Sequence, residues 1–214
     1  MNKLYLVFSS TQNRMGRMIR GITKFEYNHV SVSVDGMKNL YSFARYYRDT
    51  PLSGGFVRES RARFLCEKHP AKVAICAIEV TDEQYAKATE FIEKFSDESR
   101  DYIYNLVSAA VSPIHIRIPI SRAYTCVEFA AKLLTEVGVL SYRDARKFFN
   151  VRRLYEIFAD KRVYEGEFDV GLTAAVSHEN YTRKNPLRRR IGATCMSSLL
   201  LLGRFFNDTL QFFD

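Results

Sequence analysis

Leu4-Tyr5-Leu6-Val7-Phe8 is an unbroken apolar run between Lys3 and Ser9, the pattern of a short buried strand. Further on the chain alternates. Val30, Val32 and Val34 take turns with His29, Ser31 and Ser33, which predicts a strand with one apolar and one polar face. Asp35-Gly36 signals a hairpin turn, and Leu40 to Arg45 reads as the returning strand. A two-residue turn sets His29 opposite Ser42. A four-residue loop sets it opposite Ala44, with Ser42 diagonal on the same face. Either register makes Ser42 the expected neighbour of His29. Lys72 to Val80 is nearly continuous in apolar character, as a central strand should be. Ile114 to Ile120 and Arg162 to Phe168 alternate as two more strands. On the first of these His115 reads as a solvated strand residue rather than a second active-site histidine.

Helical spacing marks other segments. Asn13 to Thr23 carries Met15, Met18, Ile19 and Ile22 beside Arg14, Arg17 and Arg20, which predicts a short basic helix or lid. Thr81-Asp82-Glu83-Gln84 is a capping box opening a helix to about Phe95. Helical runs are also expected at Tyr102 to Val111, Tyr124 to Leu134, Ser141 to Phe149 and Asn150 to Ala159, with Gly138 ending the second of these. Pro51 to Phe56, with its Gly54-Gly55 pair, reads as a turn and loop. Together these segments predict an α+β fold, an antiparallel sheet or barrel packed against helices.

The pattern changes after residue 178. Arg183, Lys184 and Arg188-Arg189-Arg190 precede a largely apolar stretch from Ile191 to Phe213. Its uninterrupted part, Ile191 to Gly203, is short of the roughly 20 residues that a membrane-spanning helix needs. On a helix Ile191, Cys195, Leu199, Leu202, Phe206, Leu210 and Phe213 share one face, with Thr194, Ser197, Arg204 and Asp208 turned away from it. A basic block followed by such a helix suits an anionic membrane surface. The preferred reading is that it docks on its own domain or on a twin subunit. Residues 1–178 are read as the main domain and residues 179–214 as an appended tail.

The 214 residues include 47 % hydrophobic and 14 % aromatic side chains, enough for one full core. The net charge of +8 favours anionic partners. The arginines are scattered and no nucleic-acid motif accompanies them, so no nucleic-acid partner is expected. Cys66, Cys76, Cys126 and Cys195 are far apart, without a Cys-x-x-Cys pair or a histidine at ligand spacing. No zinc site, other cofactor or disulfide framework is expected. With no signal-peptide pattern at the start, the expected location is cytoplasmic, with a peripheral membrane association through the tail as a variant.

Cys126 stands at the first turn of its helix, where free peptide N–H groups and the helix dipole favour a thiolate. A free cysteine is ordinarily a small apolar core residue, and alone Cys126 reads that way. His29 on a polar strand face supplies a base and Ser42 a neighbour to orient it, and these are the parts of a thiol hydrolase. Glu128, also in the first turn, reads as compensation of the helix dipole.

The segments Asn28-His29-Val30-Ser31-Val32, Leu40-Tyr41-Ser42-Phe43, Gly55-Phe56-Val57 and Tyr124-Thr125-Cys126-Val127-Glu128-Phe129 resemble the circularly permuted papain-like proteins. Those belong to the NlpC-type cell-wall peptidase superfamily and include relatives of lecithin:retinol acyltransferase, with histidine ahead of cysteine in the chain. The resemblance spans roughly Met1 to Phe168. It implies Cys126 as nucleophile, His29 as base and, by position, Ser42 as the third polar residue. Tyr124, the Cys126 N–H and Tyr5 are candidates for the oxyanion and substrate site. The implied reaction cleaves an amide or ester of a small peptide-like or lipid-like substrate through an acyl-cysteine. Family members more often orient the imidazole with His, Asn, Gln or Glu. A serine there also fits an inactive binding module that keeps the cleft.

Overall fold

The computed structural model describes the chain except residues 12–13, 51, 66–68, 113–115, 146–149, 174–178 and 211–214. His115 and Cys66 lie outside the described residues. The first apolar run becomes β1 (Asn2–Ser9), followed by the basic helix α1 (Arg14–Thr23). β2 (His29–Ser33) and β3 (Tyr41–Arg45) pair antiparallel with Val32 opposite Tyr41, the register of the four-residue loop. Asp35 braces that loop by accepting the Asn39 amide at 2.9 Å, and Gly36 and Met37 both take positive φ.

β4 (Gly54–Arg58) falls on the segment expected to be a loop. The Gly-Gly pair is there because the backbone comes close. A Cβ on Gly54 would stand 2.5 Å from the Ala44 carbonyl, and one on Gly55 would meet the Tyr46 hydroxyl. A short helix α2 (Ala62–Leu65) leads to β5 (Lys72–Val80). Helix α3 (Asp82–Asp97) opens with the expected capping box, in which Thr81 and Gln84 each satisfy the other's backbone N–H.

The predicted helix from Tyr102 starts late. Ile103 and Tyr104 instead form a two-residue strand, β6 (Ile103–Tyr104), because Asn105 caps α4 (Leu106–Val111) by accepting the Ser108 amide at 3.0 Å. Residues 116–119 are not a strand. The Asn105 side-chain Nδ2 and the Ser108 hydroxyl both donate to the Ile118 carbonyl, which holds this segment across the start of α4. β7 (Ala123–Tyr124) runs parallel to β6 and delivers the chain to α5 (Cys126–Glu136). α6 (Tyr142–Ala145), α7 (Val151–Phe158), β8 (Arg162–Glu167), α8 (Glu179–Thr182) and α9 (Leu187–Leu210) complete the chain.

The architecture is mixed α+β. A six-stranded antiparallel sheet runs in the order β4-β3-β2-β1-β5-β8. Alternation along β1 sorts its residues into two layers. Leu4, Leu6 and Phe8 join Val30, Val32 and Phe43 in the larger core, covered by α3, α5 and α7. Val7 joins Leu40, Phe64, Val73 and Phe168 in a smaller core on the other side. α5 supplies Phe129, Leu133 and Leu134, nearly solvent-free, and burying each such side chain contributes about 1.5–3 kcal/mol. That packing sets α5 against β2 and β3. Both faces of β2 are buried, the His29, Ser31 and Ser33 face included. Its polar side chains have protein partners, His29 and Ser31 at Glu59 and Ser33 at Asp35.

Candidate active site

The start of α5 is built by its own cap. Thr125 has extended backbone, its hydroxyl accepts the Glu128 amide at 3.2 Å, and Glu128 Oε2 accepts the Thr125 amide at 2.7 Å. Glu128 Oε1 takes Arg117 Nε at 3.0 Å and the Ser108 hydroxyl at 3.3 Å. Glu128 is therefore committed to holding the helix start and its neighbours. Cys126 follows the cap as the first helical residue and is only 5 % exposed.

His29 opens β2 opposite Ser9 of β1. The residue before it is anchored, since Asn28 donates to Thr11 Oγ1 at 2.6 Å and accepts from Arg20 of α1 at 2.7 Å. The Cys126 thiol lies close enough to the imidazole to act on its titration. Its Nε2 is 2.5 Å from Glu59 Oε1, so Nδ1 is the ring nitrogen left to exchange a proton with the thiol.

Glu59 was not among the residues that the sequence singles out. It follows β4, is 1 % exposed, and is tied by its amide to the Leu40 carbonyl at 2.7 Å. Its Oε1 also accepts the Ser31 hydroxyl at 3.0 Å, and its Oε2 pairs with Arg63 Nε at 2.8 Å. Arg63 in turn donates to the Arg45 carbonyl at 2.7 Å and lies 4.4 Å over the Tyr181 ring. Its i,i+4 spacing from Glu59 is the one signal in the sequence that points to this pair.

Ser42 is not the group on the imidazole. Its hydroxyl donates to the Val30 carbonyl at 2.7 Å, a bond across the β2–β3 ladder, and the side chain is fully buried. Tyr5 stands opposite Ser33, four positions along from the Ser9–His29 pair. At ~3.3 Å per residue that is ~13 Å away, and its ring packs on the smaller core. Tyr5 is therefore too far along the strand to serve an oxyanion site at Cys126. The Tyr124 ring packs into an aromatic cluster, 5.2 Å from Phe43 and 5.8 Å from Phe95. The tyrosine beside the thiol is Tyr104, which lines the same cleft as Cys126.

Charge follows this geometry. Burial pulls the His29 pKa down, but the charges of Glu59 and Cys126, with hydrogen bonds to both, raise it to about 9. Burial pushes Glu59 up. The charges of His29 and Arg63, with hydrogen bonds from His29 and Ser31, outweigh that and hold it below the usual carboxylate range. Burial and the charges of Cys126 and Glu128 push the Tyr104 phenol well above its ordinary value, against the pull of Arg45 and Arg63. Tyr104 stays protonated and able to donate.

Cys126, Tyr104 and Thr125 line one partly open cleft together with Phe25, Tyr27 and Asn150. Its aromatic wall is fixed, with Phe25 and Tyr27 5.6 Å apart edge to face and the Tyr27 hydroxyl donating to Glu165 at 2.7 Å. No family model, curated protein or solved structure matches the chain.

Proposed function

We propose that this chain is a thiol hydrolase or acyltransferase of the circularly permuted papain-like kind, acting on an amide or ester of a small peptide-like or lipid-like substrate. The observation that carries the reading is the series Cys126–His29–Glu59–Arg63, a thiol at a helix start against an imidazole whose far nitrogen is held by a buried, arginine-paired carboxylate. A raised histidine pKa makes His29 a strong acceptor for the thiol proton as the sulfur attacks. The Cys126 sulfur attacks the substrate carbonyl and opens its π bond onto the oxygen. The Cys126 backbone N–H and the Tyr104 hydroxyl are the donors for that oxyanion. His29 gives its proton to the departing amine or alkoxide, leaving an acyl-cysteine. Water or an acyl acceptor then attacks, with His29 taking its proton. No step needs a cofactor.

The alternative of an inert binding module rests on Ser42 as a weak partner for the imidazole. With Glu59 in that place, the argument for it no longer applies.

Iodoacetamide labelling with site-resolved mass spectrometry tests the proposal. Cys195 is exposed and Cys126 buried, so reaction governed by access alone labels Cys195 first. A reactive thiolate makes Cys126 the faster site at neutral pH, and His29→Ala abolishes that advantage. Equal Cys126 rates with and without His29 would sink the thiolate–imidazole pair.

A further inference from the structure

Helix α9 is packed the wrong way round for a helix that only completes a core. The residues it turns towards the protein recur at alternating spacings of three and four, and all but Leu201 are polar: Thr194, Ser197, Leu201, Arg204 and Asp208. Leu201 is buried among Ile103, Ile120 and Ala123. Arg204 donates to the carbonyls of Asp101 and Arg122, each at 3.0 Å, and Asp208 accepts from the Ser121 amide and hydroxyl at 2.7 Å. The N-terminal end is pinned as well, with Arg190 Nε 2.9 Å from the Asp49 carbonyl. The opposite stripe is apolar and open to solvent. Ile191, Leu199, Leu202 and Phe206 are exposed by 55 %, 66 %, 51 % and 60 %. Folding ordinarily buries such a stripe and leaves the polar one outside.

We propose that α9 is an interfacial helix that lays this stripe into the surface of a bilayer rich in anionic phospholipid, carrying the folded body with it. Charge selects that occupant. Arg183, Lys184 and Arg188 stand at or before the start of the helix and make no ion pair among the described residues. Asp208 is the only acidic residue from Leu187 to Leu210 and is already engaged by Ser121. A second copy of α9 would therefore bring no free carboxylate to those cations, whereas phosphate and serine headgroups would. Among the described residues no helix is long and apolar enough to cross a membrane, so the helix lies along the surface.

Vesicle flotation of the 214-residue chain decides the matter. The chain is expected to float with phosphatidylcholine vesicles containing phosphatidylserine, far less with phosphatidylcholine alone, and less as salt is raised. Replacing exposed Leu199, Leu202 and Phe206 together by Ser leaves the circular dichroism spectrum unchanged and lowers partition at least about tenfold. Arg188→Glu lowers it at least about fivefold. No flotation with the anionic vesicles, or equal flotation with both kinds, overturns the proposal. A lipid-free dimer in sedimentation equilibrium that the triple substitution dissociates also overturns it, by making a second copy the occupant.

Discussion

Glu59 and Glu128 are both buried carboxylates. Each is paired with an arginine, Arg63 or Arg117, and each accepts a serine hydroxyl, from Ser31 or Ser108. They differ in the remaining partner. Glu128 takes the backbone N–H of Thr125, a group that does not titrate, and so it fixes the start of α5. Glu59 takes the ring of His29, and its charge is felt as a raised pKa beside a thiol. Nearly the same set of donors makes a structural cap in one case and an imidazole holder in the other. What a buried carboxylate does is decided by whether its last partner can change charge.

Removing Glu59 should give the largest effect. Glu59→Ala leaves Arg63 and a protonated His29 buried without their counter-charge, and breaking such a pair costs about 3–5 kcal/mol, measurable as a lowered urea midpoint. Glu59→Gln keeps the shape and isolates the charge. Without that carboxylate, burial pulls the His29 pKa down, and iodoacetamide labelling of Cys126 at neutral pH falls. The pH dependence of stability carries the same sign. A histidine raised to about 9 when folded adds stability that is complete below its ordinary value near 6.5. That contribution is lost as pH rises through about 9. Urea midpoints across this window should fall in the wild type and stay flatter in Glu59→Gln. The same fall in both would show that Glu59 is not what holds the proton on His29.

Glu128→Gln makes the contrast sharper. Glutamine at the third helical position can still reach back to the capping residue's N–H, so the helix start persists. The loss of charge opposite Arg117, which is partly exposed, should cost about 1 kcal/mol. The Cys126 labelling rate should stay at the wild-type level. A fall as large as that in Glu59→Gln would place Glu128 in the reactive network and erase the distinction between the two carboxylates.

The elements built on local pattern were legible in the sequence. The apolar run of β1, the valine alternation of β2 and the Thr81 capping box are all local to one segment, and so is the cysteine at a helix start. Glu59 and Tyr104 were not, because their roles depend on segments that meet only in the fold. Gly54-Gly55 has the composition of a loop. It is a strand because it pairs with Ala44 and Arg45 of β3, where the Ala44 carbonyl and the Tyr46 hydroxyl leave no room for a Cβ, and that strand is what carries Glu59 back towards His29. Tyr104 sits in a helix-like pattern, yet the Asn105 cap and the parallel pairing of Tyr104 with Tyr124 hold it extended beside Cys126. The polar face of β2 misled in another way. Alternation shows that His29, Ser31 and Ser33 share a face but not whether water or a second layer of protein covers it.

Ser42 is the smallest test of the same contrast and the most direct one of register. The four-residue loop places Val32 opposite Tyr41, and in that arrangement the Ser42 hydroxyl is spent on the Val30 carbonyl. Ser42→Ala removes a neutral hydrogen bond whose acceptor is a strand carbonyl, for a loss of about 1 kcal/mol. A residue that only ties two strands together changes the urea midpoint and leaves the chemistry alone, so Cys126 labelling and its dependence on pH should match the wild type. A labelling rate that drops with Ser42→Ala, at unchanged stability, would return to Ser42 the role of holding the imidazole and leave Glu59 as its support.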